Sequence, residues 1–193
     1  MSLDLAAEPL VWRTDRFVLR PLEAGDAPEL LELFGDPAVV EFMDIEPLED
    51  LEEAKGVIDW ACERRAAGQG VRWTIRPLEG GRLVGTCGFN TLELDRGRRG
   101  EVAYDLARDQ WGKGVMNEIL PRLIAFGFEG LALRRLEAFV TPGNVASCRL
   151  LERHGFALEG TLRDYGFWKG RFWDQLVFAR ADGPVPRLAR LAD

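Results

Sequence analysis

Histidine and cysteine are scarce, with one histidine and three cysteines among 193 residues. Cys62, Cys87 and Cys148 are odd in number, scattered and without C-x-x-C spacing, which argues against a zinc site and against a disulfide framework. No metal is therefore expected. No stretch reaches the ~18 consecutive apolar residues of a membrane helix. The opening segment MSLDLAAEPL lacks the basic region and apolar core of a signal peptide. Internal repeats and low-complexity linkers are also missing. The cytoplasm is the simplest compartment. A formal net charge of −7 disfavours direct nucleic-acid binding and is compatible with cationic partners.

The apolar fraction of 47% is ample for one core, and the length fits one domain. The most informative stretch is 101–129. It starts as a strand, with Val102, Tyr104 and Leu106 alternating against Glu101, Ala103 and Asp105. It crosses a polar turn into Trp111-Gly112-Lys113-Gly114, and from Val115 the apolar residues take helical spacing. Glycines let a backbone approach an anion closely, and the first amides of a helix have no internal partner. Such a turn suits a phosphate or pyrophosphate. It is not a nucleotide P-loop, because the spacing and the final hydroxyl are wrong. Nor is it a dinucleotide fingerprint, since Asn117 stands at the third glycine.

Along the chain, 16–22 reads as a first strand ended by proline. Asp26 is expected to cap a helix, with Glu29 at the capping-box position. Gly35-Asp36-Pro37 stops that helix, and 38–49 has no clean period. A second helix is expected over 51–67, with Val57, Ile58, Trp60 and Ala61 inside. Strands follow at 72–77 and 82–94, joined by a tight hairpin at Gly80-Gly81, the second bulged near Gly85 and Gly88. After 101–129 come a strand at 135–141, a short helix at 144–154 ended by Gly155, and strands at 156–162 and 172–179 turned by Lys169-Gly170. This order indicates α+β layering on a mixed sheet.

The glycine turn resembles the acyl-CoA loop of the GNAT acetyltransferase superfamily, Arg/Gln-x-x-Gly-x-Gly/Ala, with Trp111 and Met116 departing from it. Trp-Gly-Lys-Gly with Glu118 four residues after the second glycine is similar to the Rim-type branch, the ribosomal-protein N-terminal acetyltransferases. Asn144-Val145-Ala146-Ser147, with Gly155-Phe156 beyond, resembles the second half of a GNAT site. The likeness spans 12–180, one domain, with 181–193 as a peripheral tail. It implies a mixed, mostly antiparallel seven-stranded sheet with helices on both faces, and acetyl-CoA as co-substrate. The resemblance places the pyrophosphate on the amides of Trp111, Gly112, Lys113, Gly114, Val115 and Met116. It places the pantetheine arm and thioester carbonyl on Leu106, Ala107 and Arg108, with Asn144 also on the arm and Ser147 near the sulfur.

Most members of the superfamily carry a tyrosine acid seven residues after the asparagine, and here that position is Leu151. Rim-type enzymes resemble this sequence instead in carrying a serine three residues after the asparagine, here Ser147, and the resemblance makes its hydroxyl the candidate partner of the departing thiolate. A glutamate credited as base in some Rim-type enzymes aligns with Gly166, while the resemblance puts Glu101 where other members carry a base or water-relay carboxylate. An α-amine of pKa ~7.7–8.0 needs little help at neutral pH, whereas a lysine at ~10.4 stands about three units away, or roughly 4 kcal/mol of barrier. A site without a strong base therefore favours a protein or peptide N-terminal α-amine. The alternatives are a small amine (an antibiotic, polyamine or amino acid) and a non-catalytic acyl-CoA-binding protein. Among the aromatics, Phe167 and Trp168 are expected near the acceptor or at a homodimer surface built on the last hairpin. His154 is expected to end its helix and Cys148 to pack in the core.

Overall fold

The computed structural model describes Leu5 and residues 10–183. Eight strands form one sheet in the order β1-β2-β3-β4-β5-β6-β8-β7: β1 (Trp12–Arg13), β2 (Phe17–Pro21), β3 (Val71–Pro77), β4 (Gly85–Glu93), β5 (Arg99–Leu106), β6 (Arg135–Val140), β7 (Ala157–Trp168) and β8 (Arg171–Ala181). Every neighbouring pair is antiparallel except β5 and β6. The helices are α1 (Ala27–Phe34), α2 (Pro37–Val40), α3 (Leu51–Ala66), α4 (Val115–Ala125) and α5 (Val145–Arg153). The expected α+β class, mixed sheet and placement of helices on both faces hold. The expected seven strands become eight because Trp12–Arg13 pairs with Val18 and Leu19. Trp12 stacks on the fully buried Trp73, with ring centroids 4.2 Å apart.

Strand alternation explains the two cores. Val71, Trp73 and Ile75 of β3 point to one face, where Ile119, Leu120 and Leu123 of α4 and Leu151 of α5 join them. Arg72, Thr74 and Arg76 point to the other face, beneath α1 and α3. That second face would bury charge, and it is neutralised in place. Asp26, 1% exposed, accepts from Arg20 Nη2 at 2.6 Å and from Arg76 Nη2 at 2.8 Å. Glu29 accepts from Arg76 Nη1 at 3.1 Å and from the Leu83 amide at 2.9 Å. So Asp26 is not the side-chain cap the sequence suggested. Its carboxylate bonds back to the Glu23 amide at 3.0 Å and locks α1 to β2 and β3.

Several local expectations change for physical reasons. The link between β3 and β4 is a loop rather than a tight hairpin, because Leu83 is buried against α1. Gly85 and Gly88 do not form a bulge. A Cβ on either would lie 2.3 Å from the Asp105 carbonyl or 2.1 Å from the Val71 carbonyl, so they permit close strand approach. The bulge falls at Asn90, between the pairs Phe89–Val102 and Thr91–Glu101. The segment without period begins inside α2, which starts at Pro37. Trp60 is 41% exposed on α3, with Arg64 over its ring. The last hairpin is longer than expected, since the edge strand β7 is exposed on both faces and shows no alternation. Its turn has Lys169 at φ 50° and Gly170 at φ 73°, the left-handed pair that matches sheet twist. Of the tail expected over 181–193, Ala181 still belongs to β8, and residues 184–193 lie outside the described residues.

Burial raises the Asp26 carboxyl, but bonds from Arg20, the Glu23 amide and Arg76 outweigh it and hold the carboxyl below its ordinary value. A depressed carboxyl contributes stability above its unfolded pKa of ~3.9 and loses it as pH falls through the folded value. Asp26→Ala should cost about 3–5 kcal/mol at neutral pH, since it removes the buried carboxylate shared by two arginines, leaving Arg20 with Glu23 and Arg76 with Glu29 as carboxylate partners. Denaturant unfolding at pH 7 and pH 3 checks this, with the deficit shrinking at the lower pH.

Candidate active site

β5 and β6 pair only through Arg99–Arg135, Gly100–Leu136 and Glu101–Glu137. Beyond them β5 follows β4 and β6 follows β8, so a cleft opens between two strands of one sheet. A cavity of about 1450 Å³ occupies it, running from the glycine turn past Tyr104 and Ser147 to Glu101, Asp44 and Trp168.

At one end lies the turn into α4. Gly112 and Gly114 both have φ 72°, a conformation that suits glycine, and nothing stands where their Cβ atoms would be except Arg16 Nη2 at 4.0 Å from that of Gly114. Gly114 is the N-cap of α4 and offers no side-chain acceptor, so the first amides of the helix face outward. Trp111 folds its indole back, donating Nε1–H to the Leu106 carbonyl at 2.9 Å. Two of the expected amides are engaged within the turn, Trp111 with Arg108 O and Lys113 with Gln110 O. The open donors are therefore on Gly112, Gly114, Val115 and Met116. Arg16, which the sequence reading missed, braces this turn from the bend just before β2. Its Nε and backbone amide reach Glu118 at 2.6 and 2.9 Å, and its Nη1 reaches the Lys113 carbonyl at 3.2 Å. Although burial raises Glu118, bonds from Thr14 and Arg16 hold it below its ordinary value. Arg16 thus pairs the one carboxylate in the first turn of α4.

Asn144 caps α5, its Oδ1 accepting from the Ser147 amide at 3.1 Å. Ser147 Oγ lies 2.7 Å from the Tyr104 hydroxyl across the cleft. Tyr104 was not among the expected site residues. Burial pushes its phenol well above the ordinary value, against the Ser147 bond. Leu151 is fully buried in the core, so that position offers no acid. Ala107 donates its amide to Val84 O and packs among α1, α2 and α3, while Arg108 lies with it outside the cavity. Asn144, also expected on the arm, lines the cleft, whereas of Leu106, Ala107 and Arg108 only Leu106 does. Lys113 does not line it either.

The far end is acidic. Glu101 accepts from Thr91 Oγ1 at 3.1 Å, and the Asn90 bulge brings its amide alongside. Burial, with Asp44 adding to it, raises the Glu101 carboxyl in spite of these donors. Beneath it Arg72, 8% exposed, bonds Asp105 at 2.6 Å, Asn90 Oδ1 at 3.1 Å and the Thr86 hydroxyl, closing the floor with a satisfied ion pair. Gly166 cannot stand in for a base. A Cβ there would meet Trp168 Cζ3 at 2.6 Å. Trp168 lines the cavity and stacks on Trp173 at 5.7 Å, and Tyr165 lines it while stacking on Phe139 at 5.5 Å. Lys169 at the hairpin tip donates to Val40 O at 2.6 Å, and Thr141 to Phe42 O at 2.9 Å, which fasten the acidic 41–48 segment over the cavity. Phe167 and Phe172 are 63% and 62% exposed on the hairpin. His154 ends α5, and burial raises the Cys148 thiol.

Comparisons with known proteins agree with this geometry. A family profile described as an acetyltransferase (GNAT) domain matches residues 16–157. The N-acetyltransferase p20 of Bacillus licheniformis, itself uncharacterized, is 40% identical over 86% of this chain and 93% of its own. YoaA of Bacillus subtilis, also an uncharacterized N-acetyltransferase, is 32% identical over 88% and 95%. The ribosomal-protein-serine acetyltransferase of Escherichia coli is 30% identical over 51% of this chain and 54% of its own. Among solved structures, Mycobacterium smegmatis RimJ with CoA-disulfide superposes at TM-score 0.81 and 20% identity, covering 92% of this chain and 89% of that one. RimL, the ribosomal L7/L12 α-N-protein acetyltransferase in complex with coenzyme A, superposes at 0.79 and 20%, covering 89% and 97%. On that profile match and on the relatives 40% and 32% identical, the chain with this glycine turn, split sheet and asparagine-capped helix belongs to the GNAT acetyltransferase family and is an N-acetyltransferase of that type.

Proposed function

We propose that the acceptor is the α-amine of a protein or peptide N-terminus, taken at the acidic end of the cleft with acetyl-CoA at the glycine end. The observation that carries this reading is Glu101, the half-buried carboxylate that faces the cavity beside Asp44. Even a raised carboxylate is a weak base against a lysine at ~10.4 but an adequate one for an α-amine at ~7.7–8.0. The relatives named for ribosomal-protein acetylation favour the same acceptor.

In this reading the amides of Gly112, Gly114, Val115 and Met116 hold the pyrophosphate, and Asn144 and the open edge of β5 hold the pantetheine arm. β5 amides polarise the thioester carbonyl as its oxygen gains charge. The amine nitrogen attacks the carbonyl carbon, its proton passes to Glu101 directly or through water, and the C–S bond breaks beside Ser147. Turnover across a panel of N-terminal peptides, lysine-side-chain peptides, polyamines and aminoglycosides tests the acceptor. Preference for peptides with a free α-amine is expected. Preference for a small amine would overturn the acceptor assignment, and binding of acetyl-CoA without turnover would indicate a sensor.

Gly114→Val should weaken acetyl-CoA binding about 10-fold or more, roughly 1.4 kcal/mol, since it strains a φ of 72° and crowds the anion. Calorimetry on the folded variant checks this, and unchanged affinity would remove the turn from the site.

Glu101→Gln carries opposite signs for activity and stability. If Glu101 takes the amine proton, kcat/KM should fall most near pH 6, where the amine is mostly charged, and recover toward pH 9. A ratio to the native enzyme that stays flat over that range would assign the proton to bulk water. Because the folded-state carboxyl is raised, ionised Glu101 lowers stability once pH passes its unfolded value of ~4.3. The variant should therefore melt higher than the native protein at pH 7, with the difference vanishing below about pH 4.

A further inference from the structure

We propose that Tyr104 is a positioning residue for this reaction, its phenol donating to Ser147 Oγ so that the serine's own proton points at the departing sulfur. The inference rests on the reading that Ser147 faces the thioester sulfur. It adds a residue, and a direction for a hydrogen bond, that neither the family pattern nor the comparisons assign.

The bond is short, 2.7 Å between the two oxygens, and joins elements 43 residues apart. Tyr104 sits on β5 where β5 has left β6, held from behind by its pairing with Cys87 of β4. Ser147 sits in the first turn of α5, its amide fixed by Asn144 Oδ1 at 3.1 Å. Backbone and side chain of Ser147 are thus clamped from two directions, and both residues line the cavity.

Either hydroxyl can in principle donate, and chemistry chooses between them. A phenol is the more acidic hydroxyl, and its oxygen, conjugated with the ring, accepts less well than an alcohol. Tyr104 therefore donates and Ser147 accepts, which leaves the single serine proton free for the cleft. Burial also keeps Tyr104 protonated, so it stays a donor through the working pH range and does not serve as the final acid.

Without that clamp the serine oxygen loses its fixed position, and its single proton is free to turn away from the cleft toward solvent.

The step balances without proton loss from either hydroxyl. The N–C bond forms, the C–S bond breaks, and sulfur keeps the electron pair as a thiolate bonded by Ser147 Oγ–H. The thiolate then takes a proton from solvent, while the amine proton leaves toward Glu101 or water.

A double-mutant cycle on the full-length enzyme, with acetyl-CoA and the best peptide acceptor, tests this. Ser147→Ala should lower kcat about 10- to 150-fold with little change in acetyl-CoA affinity, because its bond strengthens as charge develops on sulfur. Tyr104→Phe keeps the ring and should lower kcat about 2- to 12-fold, again with acetyl-CoA affinity nearly unchanged. In the Ser147→Ala background Tyr104→Phe should be silent, within about twofold, since nothing remains to position. Deficits that multiply would overturn the proposal and give Tyr104 a separate task. A Tyr104→Phe enzyme with native kcat, beside an impaired Ser147→Ala, would overturn it while leaving the serine at the sulfur. A native kcat for Ser147→Ala would remove the underlying reading and the proposal with it.

Discussion

The structure depends on a ladder that stops. β5 and β6 share three register pairs and then part, although both strands continue. A sheet normally satisfies its backbone by pairing, and unpaired buried amides and carbonyls are costly. Here the parted edges face a cavity, where a polar, extended ligand can take the place of the lost strand. A pantetheine arm has that character, with two amides along a narrow chain. The parting also decides where everything else sits. Directly beyond β5 comes the glycine turn, and directly beyond β6 comes the Asn144 cap, so two helix N-termini converge on one cleft.

Holding a cleft open inside a sheet requires rigidity around it, and buried charge supplies much of that rigidity. On the face under α1 and α3, β3 presents Arg72, Thr74 and Arg76, where another sheet would place valines. Arg76 with Arg20, Asp26 and Glu29 fixes α1, while Arg72 with Asp105, Thr86 and Asn90 fixes the floor beneath Glu101. Buried ion pairs add little net stability over apolar packing, so their use is better understood as fixing geometry. The Arg72 set reaches the site directly. It orients Asn90, and Asn90 at its bulge supports Glu101.

What was legible in the sequence was local. Gly112 and Gly114 could be read because a strand, a glycine turn and a helix follow one another, and Asn144 because a cap and the helix it caps are neighbours. The class of fold followed from the order of such segments. Tyr104 and Arg16 could not be read that way, because their contacts cross 43 and 102 residues. Tyr104 was visible as an alternating strand residue, but alternation says nothing about which hydroxyl faces it across a cleft. The glycines of β4 misled for a related reason. A missing side chain marks either an irregular strand or a crowded one, and only the neighbour's position decides which. Asp26 likewise offered a local role as a cap, and two distant arginines overrode it.

The absence of tyrosine at Leu151 then acquires a structural sense. That position points into the core between α5 and the sheet, where a phenol would need a partner that the core does not supply. The tyrosine of this site comes instead from β5, on the opposite wall, and meets the helix one turn earlier, at Ser147. A phenol raised by burial is a poor acid, and a serine is a poorer one, so this pair is suited to bonding a thiolate rather than protonating it. That is enough for a thiol leaving group of pKa ~8.5, which departs with modest help near neutral pH. In the proposed reading the same economy holds at the other end of the cleft, where the raised Glu101 carboxylate would face the amine. Weak acid assistance and weak base assistance together fit an acceptor that is already partly neutral, and they leave the orientation of two bound chains as the larger share of the catalysis.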